Sequence, residues 1–254
     1  MASSILVIAS RDLKRFWSYK FWLAGQVVMN IADIVIFGLL FNNMINRSLI
    51  PDYIKFVTPG ILSLALFISS FSIGREVGVE LRREVTDYLL SLPVSRLELV
   101  LGRFVGGAFR GLIYQFGFLI LAMLLVGQPS PGAWLVIAYT SILLSFAMSG
   151  LSIALSTVTR DFNLQATIRS VVYYVLFFFS NIFYPTQVIS IRFGPLASLV
   201  AYSPLSIATA LYRWGFGYLR DVEVVSNMLL LGVWTIVLLL LSSALYLRNL
   251  TRRG

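Results

Sequence analysis

Six apolar runs, each close to 20 residues long, constrain this sequence more than any other feature. A helix needs about 20 apolar residues to cross a bilayer core about 30 Å thick. The mean hydropathy of +0.86 lies above the range of soluble globular chains. We therefore predict an all-α polytopic membrane protein with six transmembrane helices and short connections. The predicted spans are residues 21–43, 54–74, 104–126, 133–158, 167–184 and 225–247.

The residue inventory excludes several kinds of chemistry. The 254 residues contain no cysteine and no histidine, so disulfides, thiol nucleophiles, a Ser-His-Asp triad and the usual zinc sites are ruled out. No G-x-x-x-x-G-K-[ST] sequence occurs, so we expect no ATP binding through a P-loop. The glycines of "GRFVGGAFRG" have G-x-x-x-G spacings, which favour close packing of membrane helices. We predict that the chain is not an enzyme and binds no cofactor itself.

The distribution of basic residues predicts the orientation of the spans. If the spans alternate in direction, fifteen of the 20 lysines and arginines fall on the side that holds both termini. The positive-inside rule then places both termini in the cytoplasm. This topology accounts for the net charge of +9, so we predict no nucleic-acid partner.

Residues 1–20 have the pattern of a helix that lies in the membrane interface. The apolar side chains Ile5, Ile8 and Phe16 cluster on one side, and Arg11 and Lys14 lie mostly on the other. The alternative is a frayed basic tail.

A charged island lies between the second and third spans, in "GREVGVELRREVTDYLLSLPVSRLELVLGR". It holds ten of the 31 charged residues, five basic and five acidic, so its net charge is zero and it is poorly suited to anchor anionic lipid. Apolar residues at steps of three and four predict an amphipathic helix from Val77 to Leu92, which Pro93 ends. Ser95 and Glu98 form a capping box ahead of the third span. The simplest interpretation is an interfacial helix that only joins two spans.

A second unusual segment follows the fifth span, in "NIFYPTQVISIRFGPLASLVAYSPLSIATALYRWGF". It is too long for a turn and too apolar for a solvated loop, and Pro185 and Pro195 interrupt any continuous span. Unpaired backbone cannot face lipid, so we predict short helices that dip into the outer leaflet over residues 185–216. The alternative is a pair of interfacial helices without a gating role.

Asp33 is an acidic residue in the middle of a predicted span. A carboxylate there costs about 2.5–3.5 kcal/mol on insertion scales, so it should face a cavity or a partner. Asn30 lies one turn earlier, and Arg110 of the third span is a candidate counter-ion. Asp33 could pair within the bundle or contact cargo. Both roles stay open at this stage.

The segment "LLSLPVSRLELVLGR", preceded by glutamates near the end of the second span, resembles the corresponding segment of the type-2 ABC transporter permease family, in its drug- and lipid-exporter branch. The resemblance is most specific over residues 74–111. It implies a single transmembrane permease domain over residues 1–254 in a prokaryotic cytoplasmic membrane. It also implies a cytoplasmic coupling helix at 75–94 and re-entrant helices at 185–216 that cover the outer exit.

The same resemblance implies partners and their contact residues. A homodimer would form the pathway, and a separate ABC ATPase subunit, which carries ATP and magnesium, would dock on the coupling helix and on part of the loop 159–169. The docking candidates are Glu76, Glu80, Arg83, Glu84, Asp87, Tyr88, Leu89 and Leu92. Tyr88, Leu89 and Leu92 could instead face lipid headgroups.

The resemblance also implies that spans one, two and five line the pathway. The pathway and gating candidates are Asn30, Asp33, Phe67, Phe71, Tyr174, Phe178 and Asn181. The aromatic residues of span five suit an amphipathic or hydrophobic cargo, such as a drug, a lipid or a lipid-linked molecule. The alternative function is an ion-coupled carrier or channel that uses Asp33. A membrane enzyme is disfavoured because the aspartates outside the spans are scattered over both sides.

Overall fold

The apolar runs fold as helices, and short polar or proline-containing segments separate them. A computed structural model describes residues 2–42, 50–159 and 161–251, and within these ranges it contains twelve α-helices and no strand. The end of the first predicted span, at residue 43, lies outside the described residues. The helices are α1 (Ala2–Ser18), α2 (Lys20–Asn42), α3 (Tyr53–Phe71), α4 (Ile73–Arg82), α5 (Val85–Leu90), α6 (Arg96–Val126), α7 (Pro131–Thr157), α8 (Phe162–Phe178), α9 (Thr186–Phe193), α10 (Leu196–Ala201), α11 (Pro204–Gly215) and α12 (Val224–Thr251).

Helix α3 is the centre of the bundle. It begins at Asp52, whose side chain accepts a hydrogen bond from the Lys55 backbone nitrogen at 3.2 Å. Helices α2, α6, α7 and α11 pack around it, and α12 packs on the far side of α7. Nearly every residue of α3 is buried, as expected for a helix enclosed by other helices.

Among the described residues, four helical segments are long and apolar enough to cross a membrane. The first is the 30-residue segment Tyr53–Arg82, in which α4 follows α3 almost without a break. The other three are α6, α7 and α12. The all-α polytopic membrane fold is therefore confirmed. The remaining predicted spans correspond to α2 and to the 17-residue α8, so the number of six stays a prediction.

The charged island does not form one continuous helix, and this part of the prediction was wrong. Helix α4 ends at Arg82, and Glu84 has a left-handed backbone conformation with φ of 57° before α5 begins. The predicted capping box is confirmed, because Ser95 and Glu98 exchange hydrogen bonds at the start of α6. The island is thus an extension of α3 followed by a short separate helix.

Glycines of α6 allow two neighbouring helices, α1 and α4, to approach closely, as their spacing predicts. A Cβ atom at Gly102 would lie 2.7 Å from Cβ of Ile8 on α1, and one at Gly106 would lie 3.0 Å from Cβ of Asp12. A Cβ atom at Gly107 would lie 2.8 Å from Cγ2 of Ile73 on α4. Helix α1 is therefore a packed part of the bundle and not a frayed tail.

The segment after α8 folds as three short helices, α9, α10 and α11, as predicted. Helix α11 starts at Ser203, whose hydroxyl accepts a hydrogen bond from the Ser206 backbone nitrogen, with Pro204 in the first turn. It packs against α3, α7 and α12. Whether these helices gate an exit stays a prediction.

Candidate functional site

A buried network of ion pairs lies where α1, α4 and α6 meet. The Arg103 guanidinium donates hydrogen bonds to Asp12 Oδ1 at 2.7 Å and to the Glu80 carboxylate. All three side chains are almost completely buried. Arg110, which lies about two helical turns after Arg103 on α6, donates two hydrogen bonds of 2.7 Å to the Glu76 carboxylate. Each buried carboxylate of this network therefore has an arginine from α6 beside it.

Two arginines of α1 close the network toward its partly exposed edge. Arg11 and Arg15 donate to Glu80 Oε1 at 2.9 and 2.6 Å, and about one third of each arginine side chain is exposed. Burial opposes the charge of Arg15, but a hydrogen bond with Tyr19 and the carboxylates of Glu76 and Glu80 raise its pKa above the ordinary value. These contacts hold Arg15 in its charged form.

The network fixes α4 to two other helices. Breaking a buried ion pair by removing one partner costs about 3–5 kcal/mol, because it leaves an uncompensated charge inside the protein. Arg110 also donates to the Asp12 backbone carbonyl and lies 5.3 Å from the centre of the Phe16 ring. Helices α1, α4 and α6 should consequently move as one body at the end of the bundle that carries the charged island.

The structure divides the predicted docking residues into two groups. Glu76 and Glu80 face the interior of the chain in the network, so they do not share a surface with the rest of the island. The sequence pattern missed this because their arginine partners lie in other helices. The exposed members are Arg83, Glu84, Asp87, Tyr88 and Leu92, and Leu89 is half-buried against an apolar cluster under α4.

The loop between α7 and α8 lies next to the island. The Arg82 guanidinium is 5.0 Å from the centre of the Phe162 ring, which is in the first turn of α8. Asp161 caps this helix by accepting a hydrogen bond of 2.8 Å from the Asn163 backbone nitrogen. Gln165 donates to the Thr159 carbonyl and closes the loop. The two segments predicted to contact an ATPase are therefore neighbours in the structure.

The predicted pathway residues of α3 and α8 have different environments. Phe67 and Phe71 are buried, and Phe67 stacks on Tyr173 with ring centres 5.1 Å apart. They join α3 to α8 within one chain. Tyr174 and Phe178 stack on each other at 6.3 Å and are more than half exposed on the outer face of α8. Only this second pair is available to a pathway in the isolated chain.

The predicted pairing of Asp33 with Arg110 was wrong, because Arg110 binds Glu76 instead. Asp33 is half-buried on α2, and no cationic side chain of the described ranges lies within salt-bridge distance of it. Asn30 is buried and donates a hydrogen bond of 3.1 Å to the Tyr114 hydroxyl. Asn30 thus joins α2 to α6, whereas Asp33 has no salt-bridge partner among the described residues.

A buried arginine at the predicted outer end was missed by the sequence interpretation. Arg213 of α11 donates to the backbone carbonyls of Phe56, Asn181 and Ile182 at 2.9, 2.8 and 2.7 Å. Its guanidinium also lies 3.5 Å from the centre of the Phe56 ring. Asn181 is therefore part of a clamp that joins α11 to α3 and to the break after α8. The sequence signal that could have indicated this clamp is a single arginine, Arg213, within an apolar segment.

Sequence comparisons connect the chain to a family of membrane transport proteins. The family model described as ABC-2 type transporter matches residues 3–216. The chain is 23% identical over 214 residues to the daunorubicin resistance ABC transporter permease protein DrrB1 of Streptomyces coeruleorubidus, which covers 83% of this chain and 74% of that protein.

A shorter match connects the chain to two Escherichia coli proteins, from strain K12 and from O157:H7, both named probable multidrug ABC transporter permease YbhS. The identity is 25% over 107 residues, which is 42% of this chain. The match spans 28% of the length of these relatives. The family match covers well over half of the chain, and the multi-pass helical fold is consistent with it. The chain therefore belongs to the ABC-2 type transporter family as a type-2 permease.

Proposed function

We propose that this permease is the membrane subunit of an ATP-driven exporter in a prokaryotic cytoplasmic membrane, with both termini in the cytoplasm. Two copies of the chain form the pathway, and separate ABC ATPase subunits bind ATP and magnesium. The permease itself carries out no hydrolysis. Membership of the ABC-2 type transporter family favours this function over an ion-coupled carrier that uses Asp33.

The observation that carries the proposal is the exposed surface of α5 and the adjoining loop. Tyr88 is 66% exposed, Asp87 is exposed on the same short helix, and Glu84 is exposed just before it. Arg82 and Phe162 connect this surface to the loop between α7 and α8. An exposed tyrosine surrounded by charged side chains is typical of a binding hot spot, and the charges select the partner. We name Arg83, Glu84, Asp87, Tyr88 and Leu92 the docking surface.

The connection from α5 to the bundle supports mechanical coupling. Helix α4 extends the central helix α3, and together they form the 30-residue segment Tyr53–Arg82. The ion pairs of Glu76 and Glu80 tie α4 to α1 and α6. A displacement of the docking surface is thus passed to the centre of the bundle instead of being absorbed by a flexible loop.

The pathway is proposed to lie between two copies, along α2 and α8. Both helices expose apolar side chains, including Val28 and Met29 on α2 and Val171, Tyr174 and Phe178 on α8. Such surfaces fit a second copy and an amphipathic or hydrophobic cargo. The names of the relatives, which refer to daunorubicin resistance and to multidrug transport, support a drug-like cargo.

Co-purification from native membranes tests the docking surface. The tagged chain is compared with the variant Glu84→Ala/Asp87→Ala/Tyr88→Ala, and the exposed pair Arg96→Ala/Leu97→Ala serves as the matched control. An ATPase subunit should be recovered with the wild type and the control, and its recovery should fall at least about tenfold in the triple variant. Equal recovery with all three chains, or no ATPase with the wild type after mild crosslinking, would overturn the proposal.

A further inference from the structure

Two arginines without acidic partners face a groove beside the ion-pair network. Arg75 of α4 and Arg169 of α8 both line a cavity of about 240 Å³ between α2, α3 and α8. Within the described ranges, no carboxylate lies within 4.0 Å of either guanidinium. Among the described residues, Arg169 donates one hydrogen bond, to the Ser156 hydroxyl at 3.2 Å, and it lines the same cavity as Arg75. Two like charges that share a cavity favour an anion between them.

A second cavity continues from the first. It has a volume of about 410 Å³ and shares Trp22, Ser72 and Arg75 with its neighbour. It adds the aromatic side chain of Tyr19 and a third arginine, Arg83, which has no carboxylate within salt-bridge distance among the described residues. Its acidic residue, Glu76, already binds Arg110. Among the described residues that line the two cavities, arginines outnumber carboxylates, so the combined groove carries excess positive charge.

Folding produces this excess from an island whose sequence is neutral. Glu76 and Glu80 turn inward and are neutralised by arginines of α1 and α6. The basic residues Arg75 and Arg83 remain on the outside of α4. The exposed part of residues 74–103 has four arginines against the two carboxylates of Glu84 and Asp87, so a neutral sequence gives a neutralised interior and a surface of positive net charge.

The surroundings of the groove indicate the kind of anion. Trp22 and Tyr19 lie at the start of α2, and such aromatic residues are enriched at the membrane–water interface. The first cavity is also lined by the side chains of Ile68, Phe71 and Tyr173, so apolar and aromatic surface adjoins the arginines. Basic pockets between transmembrane helices on the cytoplasmic side suit anionic lipid headgroups.

We propose that the groove lined by Arg75 and Arg169 binds the phosphate of an anionic phospholipid of the inner leaflet. The Ser170 hydroxyl, which also lines the cavity, is an additional hydrogen-bond donor for a phosphate oxygen, whereas the Ser72 hydroxyl donates to the Ser69 carbonyl at 2.7 Å. The assignment to the inner leaflet rests on the proposed orientation. The lipid phosphate would stabilise the contact between α4 and α8 because its negative charge reduces the repulsion between the two arginines.

Binding of phosphatidylglycerol to the purified full-length chain tests this site, without an ATPase or a cargo. Native mass spectrometry and thermal unfolding compare the wild type with Arg75→Gln/Arg169→Gln. The matched control is Arg96→Gln/Arg248→Gln, which removes two exposed arginines on the same predicted side. We expect the first pair to lower the affinity for phosphatidylglycerol about tenfold or more, because each charged hydrogen bond is worth roughly that factor. The control should change it less than about twofold.

Further comparisons distinguish the source of the anion. Phosphatidylcholine should bind at least about tenfold more weakly than phosphatidylglycerol, and soluble glycerol phosphate should not compete. Arg75→Lys/Arg169→Lys keeps both charges and should retain most of the binding, which separates loss of the site from loss of folding. Equal losses in the two glutamine pairs, or full competition by glycerol phosphate, would overturn the proposal. So would intact lipid binding in Arg75→Gln/Arg169→Gln together with lost ATPase recovery, which would indicate a protein contact.

Discussion

At the scale of single residues, the position of each charge determines its role in this permease. Arg103, Asp12 and Glu80 are buried together and neutralise one another. Arg75 and Arg169 are positive without a nearby carboxylate among the described residues. Arg213 is buried and is satisfied by three backbone carbonyls. Arginine can fill all three positions because its guanidinium offers five donors and stays charged.

Arg103→Met tests the buried network. The substitution leaves Asp12 and Glu80 buried with fewer donors, so we expect a loss of about 3–5 kcal/mol in the free energy of unfolding. The measurement is the thermal unfolding midpoint in detergent, with the exposed Arg96→Met as control. Adding Asp12→Asn to Arg103→Met should recover part of the loss. Equal midpoints for Arg103→Met and Arg96→Met would show that the network contributes nothing to stability.

The sequence could predict which residues are charged but not how they pair. Glu80 binds Arg11, 69 positions away, and Arg103, 23 positions away, so no local pattern shows these contacts. Arg110 looked like a partner for Asp33 because both lie within apolar runs, yet Glu76 is the carboxylate that reaches it. Pairing depends on which helix faces pack together, and the periodicity of one helix does not contain this information.

At the scale of the elements, close approach of helices depends on small residues at the crossing points. A Cβ atom added at Gly74 of α4 would lie 2.7 Å from the Ser152 carbonyl carbon on α7. Since backbone cannot rotate away as a side chain can, one of the two helices would have to move. At Gly117 of α6, by contrast, no heavy atom of the described residues outside the local helix backbone and the two chain neighbours lies within 4 Å of such a Cβ atom.

These two glycines give opposite predictions for the same substitution. Gly74→Ala should lower the free energy of unfolding by about 1–3 kcal/mol, because it overpacks a helix crossing. Gly117→Ala should raise it by about 0.5–1 kcal/mol, because alanine restricts the unfolded chain and favours the helix. Unfolding midpoints in detergent compare both with the wild type. A stabilising Gly74→Ala would contradict the crossing between α4 and α7.

Local sequence signals correctly predicted where a helix begins when a capping residue is present at that position. The capping box of Ser95 and Glu98 starts α6, and Ser203 with Pro204 starts α11. The break at Arg83 had no such signal, because Glu84 adopts a left-handed conformation that glycine usually supplies. Amphipathic periodicity therefore predicted one helix where the structure has two. The turn places α5 away from α4 and thereby forms the docking surface.

At the scale of the whole molecule, the account depends on which side of the membrane each surface faces. The absence of cysteine allows single-cysteine variants without further changes. Tyr88 and Leu199 are 66% and 72% exposed and are predicted to lie on opposite sides. In intact cells, an impermeant maleimide should label Leu199→Cys and should label Tyr88→Cys only after the cells are opened. The reverse pattern would invert the orientation and place the docking surface outside.

The most direct test of the central proposal is crosslinking from the docking surface in native membranes. Tyr88→Cys, treated with a short crosslinker, should form a covalent adduct with an ABC ATPase subunit, and the adduct should be identified by mass spectrometry. Leu199→Cys, of similar exposure, should form none. An ATPase adduct at Tyr88 alone is the result that the account predicts. Absence of that adduct, while the ATPase still co-purifies with the chain, would contradict docking at α5.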